Sequence, residues 1–230
     1  MGLTIGSRKM IKGCRNVQIR FCKGSTVKYF FVIFIFFAQF FTHAQPVDKF
    51  LLKQLENYLN GISSLVAEFT QQTPTTDPVK GKIWLKRSTK DGGKMRLDYE
   101  PRIQQRVVAR DEQLFVYDLI DTTEPFPQNL SNMPAAFILQ NNISLERDTN
   151  VEEIVKSPDG RYIALRLSSP ADLTLTFSLY QNGNIKDLAG WVLIDPQGQE
   201  IIVQLTEINV NDPKLVPESL FTPPFSNYAF

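Results

Sequence analysis

Between residues 80 and 101 apolar and polar side chains alternate on both sides of Asp91-Gly92-Gly93, the pattern of two strands joined as a hairpin. Ile83, Leu85 and Arg87 share one face of the first strand, and Met95, Leu97 and Tyr99 share one face of the second. The same period of two predicts a strand over 65–72, with Leu65, Ala67 and Phe69 on one side. It predicts a second hairpin over 104–109 and 114–118, in which Val107 shares a face with Gln105 and Ala109, and Phe115 with Tyr117. From 151 to 210 strand and turn repeat: 151–156, 162–167, 173–180, 185–194 and 200–210, with Asn182-Gly183 as the sharpest hairpin signal. Two segments change period. Leu51, Leu55, Tyr58, Leu59 and Ile62 recur at spacings of three and four, which predicts a helix over 46–62 with Gly61 near its end. Asn132, placed to cap, and Pro134, tolerated in a first turn, predict a short helix over 132–139. Eight residues cannot hold a helix alone, so Phe137, Ile138 and Leu139 must lean on an apolar surface. A single helical turn over 217–221 and an extended edge over 222–225 close the pattern. Nine to eleven antiparallel strands, consecutive in sequence and interrupted by two helices, point to a mainly β fold with an α lid: an unclosed, strongly curved antiparallel β-barrel covered by short helices.

Arg87 is the odd residue on an otherwise apolar face. A guanidinium keeps its charge and five donors, so it requires acceptors or water wherever that face puts it. Either it ends its strand in solvent, or it sits at the rim of an apolar hollow and grips whatever covers the hollow. Periodicity alone leaves open whether the apolar face lines such a hollow or packs a dense core.

Composition narrows the chemistry. Seven bases and no acids precede a run from 29 to 41 that is apolar apart from Gln39, followed by Thr42-His43-Ala44. That order predicts a secretory signal peptide over 1–44, cleaved to leave a single domain over 45–230. Removing seven of 25 bases leaves 18 against 24 acids, an acidic domain unsuited to nucleic acid or anionic membrane. Cys14, Cys22 and His43 all fall in the leader, so the remainder offers no thiolate, imidazole base or common zinc site. Neither Gly-x-Ser-x-Gly nor a phosphate-cradling Gly-x-x-x-x-Gly-Lys-Ser/Thr occurs, and no cofactor is expected. The carboxylate pairs Asp98/Glu100 and Glu152/Glu153 keep a hydrolase open in principle. A hollow for a hydrophobic ligand, as in a lipocalin-like carrier of small molecules, is the binding alternative, although Gly81 and Trp84 do not form the Gly-x-Trp signature of that class.

Several short segments, in order and with matching spacing, resemble the LolA family of outer-membrane lipoprotein carriers: Phe69-Thr70-Gln71, Trp84-Leu85-Lys86-Arg87, Arg96-Leu97-x-Tyr99-x-Pro101, Asn132-x-Pro134 and Phe221-Thr222-Pro223-Pro224. The likeness runs from about Leu51 to Phe225. It implies a monomeric periplasmic protein that takes lipoproteins from an inner-membrane ABC transporter of the LolCDE kind, shields their acyl chains, and delivers them to a LolB-like receptor or the outer membrane. It implies a lid-latching arginine at Arg87, lid positions facing lipid at Leu59 and Ile138, and a wall including Met95, Leu97 and Val107. Phe69, Leu85 and Phe137 are expected in the same acyl-chain cavity. Ser88 stands where the family usually has proline, and 89–93 make a longer turn, which could aim the arginine differently.

Overall fold

In the computed structural model the alternation becomes one antiparallel sheet of eleven strands, counted among the described residues. These are 48–88, 92–121, 125–132, 134–168, 172–194 and 198–222, within the unit His43–Phe230. The leader expected over 1–44, most of the extended edge over 222–225, and the side chain of Asn132 lie outside them.

The first strand, β1 (Ser64–Gln72), occupies the middle of the sheet, and the chain meanders outward on both sides of it. On one side follow β2 (Val79–Lys86), β3 (Lys94–Tyr99), β4 (Gln105–Arg110), β5 (Gln113–Asp118) and the two-residue β6 (Gln128–Asn129). The other wing is β7 (Val151–Lys156), β8 (Tyr162–Leu167), β9 (Leu173–Leu179), β10 (Ile185–Ile194) and β11 (Glu200–Val210), the last of which pairs with β1. β6 and β7 end the order and do not pair, so the barrel is unclosed. A lipocalin-like closed barrel is therefore not formed.

Each strand turns alternate side chains to two different surroundings. The inner row, with Leu65, Phe69, Leu85, Leu114, Leu165 and Leu205 among its members, joins one core cluster that both wings share, so the sheet curls around it. The outer row of the first wing has its own smaller core. Val66, Val108 and Tyr117 are buried there under Val216, which follows the 3-10 turn Pro213–Leu215, and Phe221, which ends the 3-10 turn Glu218–Phe221. Phe115 and Tyr117 thus share the face opposite Leu114, as alternation requires.

Three α-helices are described where two were expected. α1 (Lys49–Gly61) starts at Asp48, whose side chain accepts from the amides of Phe50 at 3.0 Å and Leu51 at 3.2 Å. Its apolar stripe buries Leu55 and Leu59 completely, each worth about 1.5–3 kcal/mol. Polar side chains then bolt it down. Glu56 accepts from the Leu145 amide, Asn60 exchanges two 2.8 Å bonds with the Ile143 backbone, and the Tyr58 hydroxyl accepts from the Leu188 amide of β10. α2 (Pro134–Leu139) is the expected second helix. α3 (Leu145–Asp148), capped by Ser144, was not foreseen because four residues are too few to show a period.

Candidate functional site

Arg87 follows β2 directly, and its amide donates to the Ser63 carbonyl at 2.8 Å, which extends the β1–β2 ladder by one rung and fixes its backbone. From there the guanidinium reaches two helices at once. Nε donates to the Ile138 carbonyl of α2 at 2.8 Å, and Nη1 donates to the Leu59 carbonyl of α1 at 2.5 Å. Both carbonyls belong to last turns, where intrahelical donors run out. Nη2 is buried and lacks a hydrogen-bond partner, and no carboxylate pairs with Arg87 among the described residues. Burial pushes the guanidinium down to about 10, so it remains charged at neutral pH. The alternative of a solvated strand end does not hold.

Beneath the two helices lies a cavity of about 340 Å³. α1 contributes Leu59 and Ile62, and α2 contributes Ile138. The first wing supplies Phe69, Leu85, Met95, Leu97 and Val107. The second wing supplies Leu188, Trp191, Leu193, Ile201, Val203 and Leu205 opposite them. Arg87, Leu59, Phe69, Leu85, Met95, Leu97, Val107 and Ile138 are thus brought together. Phe137 is not: it is fully buried in the core and does not line the hollow. Adjacent helical residues point about 100° apart, so when Ile138 faces the cavity Phe137 cannot.

Apart from Arg87, the hydrogen-bonding side chains in the lining are chiefly Gln71 and Tyr99. Neither was assigned a role from the sequence, although Gln71 continues the Leu65–Ala67–Phe69 row and Tyr99 the Met95–Leu97 row. The Tyr99 hydroxyl donates to Gln71 Oε1 at 2.9 Å, and its ring stands edge-on to Phe69 at 5.2 Å. Burial pushes the phenol above its ordinary value. The carboxylates weighed for catalysis lie elsewhere. Asp98 sits on the outer face between Arg96 and Arg106, and Glu152 pairs with Arg166 at 3.1 Å. Burial alone would raise the Asp98 carboxyl, but the two guanidiniums outweigh it and hold it below the usual range. No group of three metal-ligating side chains converges among the described residues.

Residues 60–223 match the sequence profile of the outer membrane lipoprotein carrier protein LolA. The chain is 28% identical over 190 residues to an outer-membrane lipoprotein carrier protein of Nitrosomonas europaea, an overlap covering 78% of this chain and 88% of the relative. Among solved structures it is similar to a LolA superfamily protein from Nitrosomonas europaea, with TM-score 0.41 and 10% identity over 78% of this chain and 99% of that one. It is also similar to the MucA/MucB complex of Pseudomonas aeruginosa, with TM-score 0.39 and 15% identity over 75% of this chain and 59% of that one.

Proposed function

Because this chain belongs to the LolA family of outer membrane lipoprotein carrier proteins, we propose that it escorts lipoproteins through the periplasm by sheltering their acyl chains in the cavity under α1 and α2. In this reading residues 1–44 are removed on export, and 45–230 work as one monomeric domain. Cargo arrives from a LolCDE-like transporter and leaves to a LolB-like receptor or to the outer membrane itself. The observation that carries the reading is an apolar hollow roofed by two helices whose ends are joined by one charged side chain, Arg87.

Each exposed methylene costs about 0.8 kcal/mol in water, so a diacylated or triacylated protein needs cover to cross an aqueous space. The cover must also come off. The two or three acyl chains of such cargo exceed what a cavity of about 340 Å³ holds. Loading therefore requires the roof to lift, and lifting it breaks the Arg87 bonds. Hydrogen bonds to charged groups are worth about 1.5–3 kcal/mol, so the closed empty state competes with cargo by a tenfold or larger factor. That competition lets the carrier give up its load without fuel.

Two measurements test this. Mass spectrometry of the protein purified natively from periplasm should find acylated peptides travelling with it; protein that is always empty removes the carrier reading. Arg87→Leu should still load but hold cargo at least tenfold tighter and deliver it more slowly. Delivery at the wild-type rate would remove the latch and leave the carrier standing.

A further inference from the structure

We infer that Gln71, oriented by Tyr99, seats the acyl carbonyl at the head of the bound lipid, with the hydrocarbon tail running inward toward Arg87; this rests on the carrier reading above. The hollow has a direction. Gly81 pairs with both Phe69 and Tyr99, and Arg87 lies six residues further along the same line, about 20 Å at a strand rise near 3.3 Å. Along the inner rows, burial falls off in one sense. Leu65 and Phe69 are buried but Gln71 is half-buried; Met95 is buried but Leu97 and Tyr99 are half-buried. β11 repeats the trend, with Leu205 and Val203 buried and Ile201 half-buried. The mouth is therefore at the Gln71–Tyr99 end and the closed end at Arg87.

At that mouth stands one oriented amide. Tyr99 donates to Gln71 Oε1, which leaves the Gln71 Nε2 donors without a partner among the described residues. The pair is held in place from behind. Phe69 packs edge-on against Tyr99, and a β-carbon at Gly81 would strike the Phe69 ring, so glycine there keeps the ring in position. A donor at the rim of an otherwise apolar wall complements an uncharged acceptor at the point where hydrocarbon ends. An ester or amide carbonyl of an acyl chain is such a group. Among the described residues the lining itself carries no cation at this end, since Arg87, the cation in the lining, is about 20 Å away. Length agrees as well. One acyl chain spans about half of a bilayer's 30 Å hydrocarbon core, roughly 15 Å, which fits between Gln71 and Arg87.

The test is calorimetric titration of the mature protein with a dipalmitoyl S-glyceryl cysteine peptide and with its dihexadecyl ether counterpart, which lacks the two ester carbonyls. Wild-type protein should bind the ester about fivefold tighter than the ether, the size of a neutral hydrogen bond. Gln71→Leu should weaken the ester about fivefold and leave the ether unchanged. Gln71→Glu, which keeps the size and the Tyr99 bond but removes the donors, should also abolish the preference. Equal binding of ester and ether by the wild type, or equal weakening of both by Gln71→Leu, overturns the seat while the carrier reading stands. Failure of the wild type to bind either peptide overturns both.

Discussion

Asp98 shows how one carboxylate on the outer face can matter to stability without touching the hollow. It receives Arg96 Nε at 2.7 Å and Arg106 Nε at 2.8 Å, and its side chain is 24% exposed. Its folded value lies below the ordinary 3.8, so the stability it contributes is fully present above that pH and is lost as pH falls through the depressed value. Asp98→Asn should therefore cost about 1–3 kcal/mol at pH 7, a melting temperature lower by several degrees, and less at pH 2 as the carboxylate begins to protonate. Thermal melts at the two pH values check this; an equal loss at both would mean that the charge is not what matters. The contrast with Arg87 explains what single residues disclose in a sequence. Arg87 stood out because it breaks an apolar row. Asp98 stood out only as half of a carboxylate pair; its ion-paired role did not, because one of its partners, Arg106, comes from the next strand and meets it only once the register is known.

Among the elements, the two roof helices are attached very differently. α1 is bonded to its surroundings through Glu56, Tyr58 and Asn60, and the Asn211 side chain adds a 2.9 Å bond to the Gly61 carbonyl. Among the described residues α2 receives Arg87 and is otherwise held by packing, with Phe137 and Leu139 in the core and Gly93 so close to Leu139 that a β-carbon there would run into its carbonyl and β-carbon. α2 is thus the part of the roof that can lift, with α1 as the fixed part. Gly93→Ala should push α2 off its seat, raise amide exchange across 134–139 severalfold, and speed lipid uptake, with α1 exchange unchanged. Unchanged exchange in α2 would show that the turn has room to give. Both helices were readable from the sequence, α1 by its period and α2 by its proline and apolar triplet. Which of them is anchored was not, because the anchors join residues as far apart as Asn60 and Ile143, and Gly93 reads in sequence only as part of a turn. The outer core was missed for the same reason: Val216 and Phe221 fold back over a face that alternation alone assigns to solvent.

For the molecule as a whole, the void itself is the anomaly. Protein interiors pack at crystal-like density, and an unfilled volume of about 340 Å³ forfeits contacts along its whole lining. The lining is mostly Leu, Val and Ile, with Phe69, Met95, Tyr99 and Trp191 among them, and these side chains leave the space open. A carrier accepts that loss because the missing contacts are supplied by cargo. Filling the space should separate stability from function. Leu97 lines the wall and is half-buried near the mouth, so Leu97→Trp can extend into the hollow without displacing the buried core. The variant should melt at or above the wild-type temperature and bind the dipalmitoyl peptide at least tenfold more weakly. Scanning calorimetry and titration on the same sample read both quantities. A variant that is as stable as the wild type yet binds lipid equally well would mean that the acyl chains lie somewhere other than this cavity.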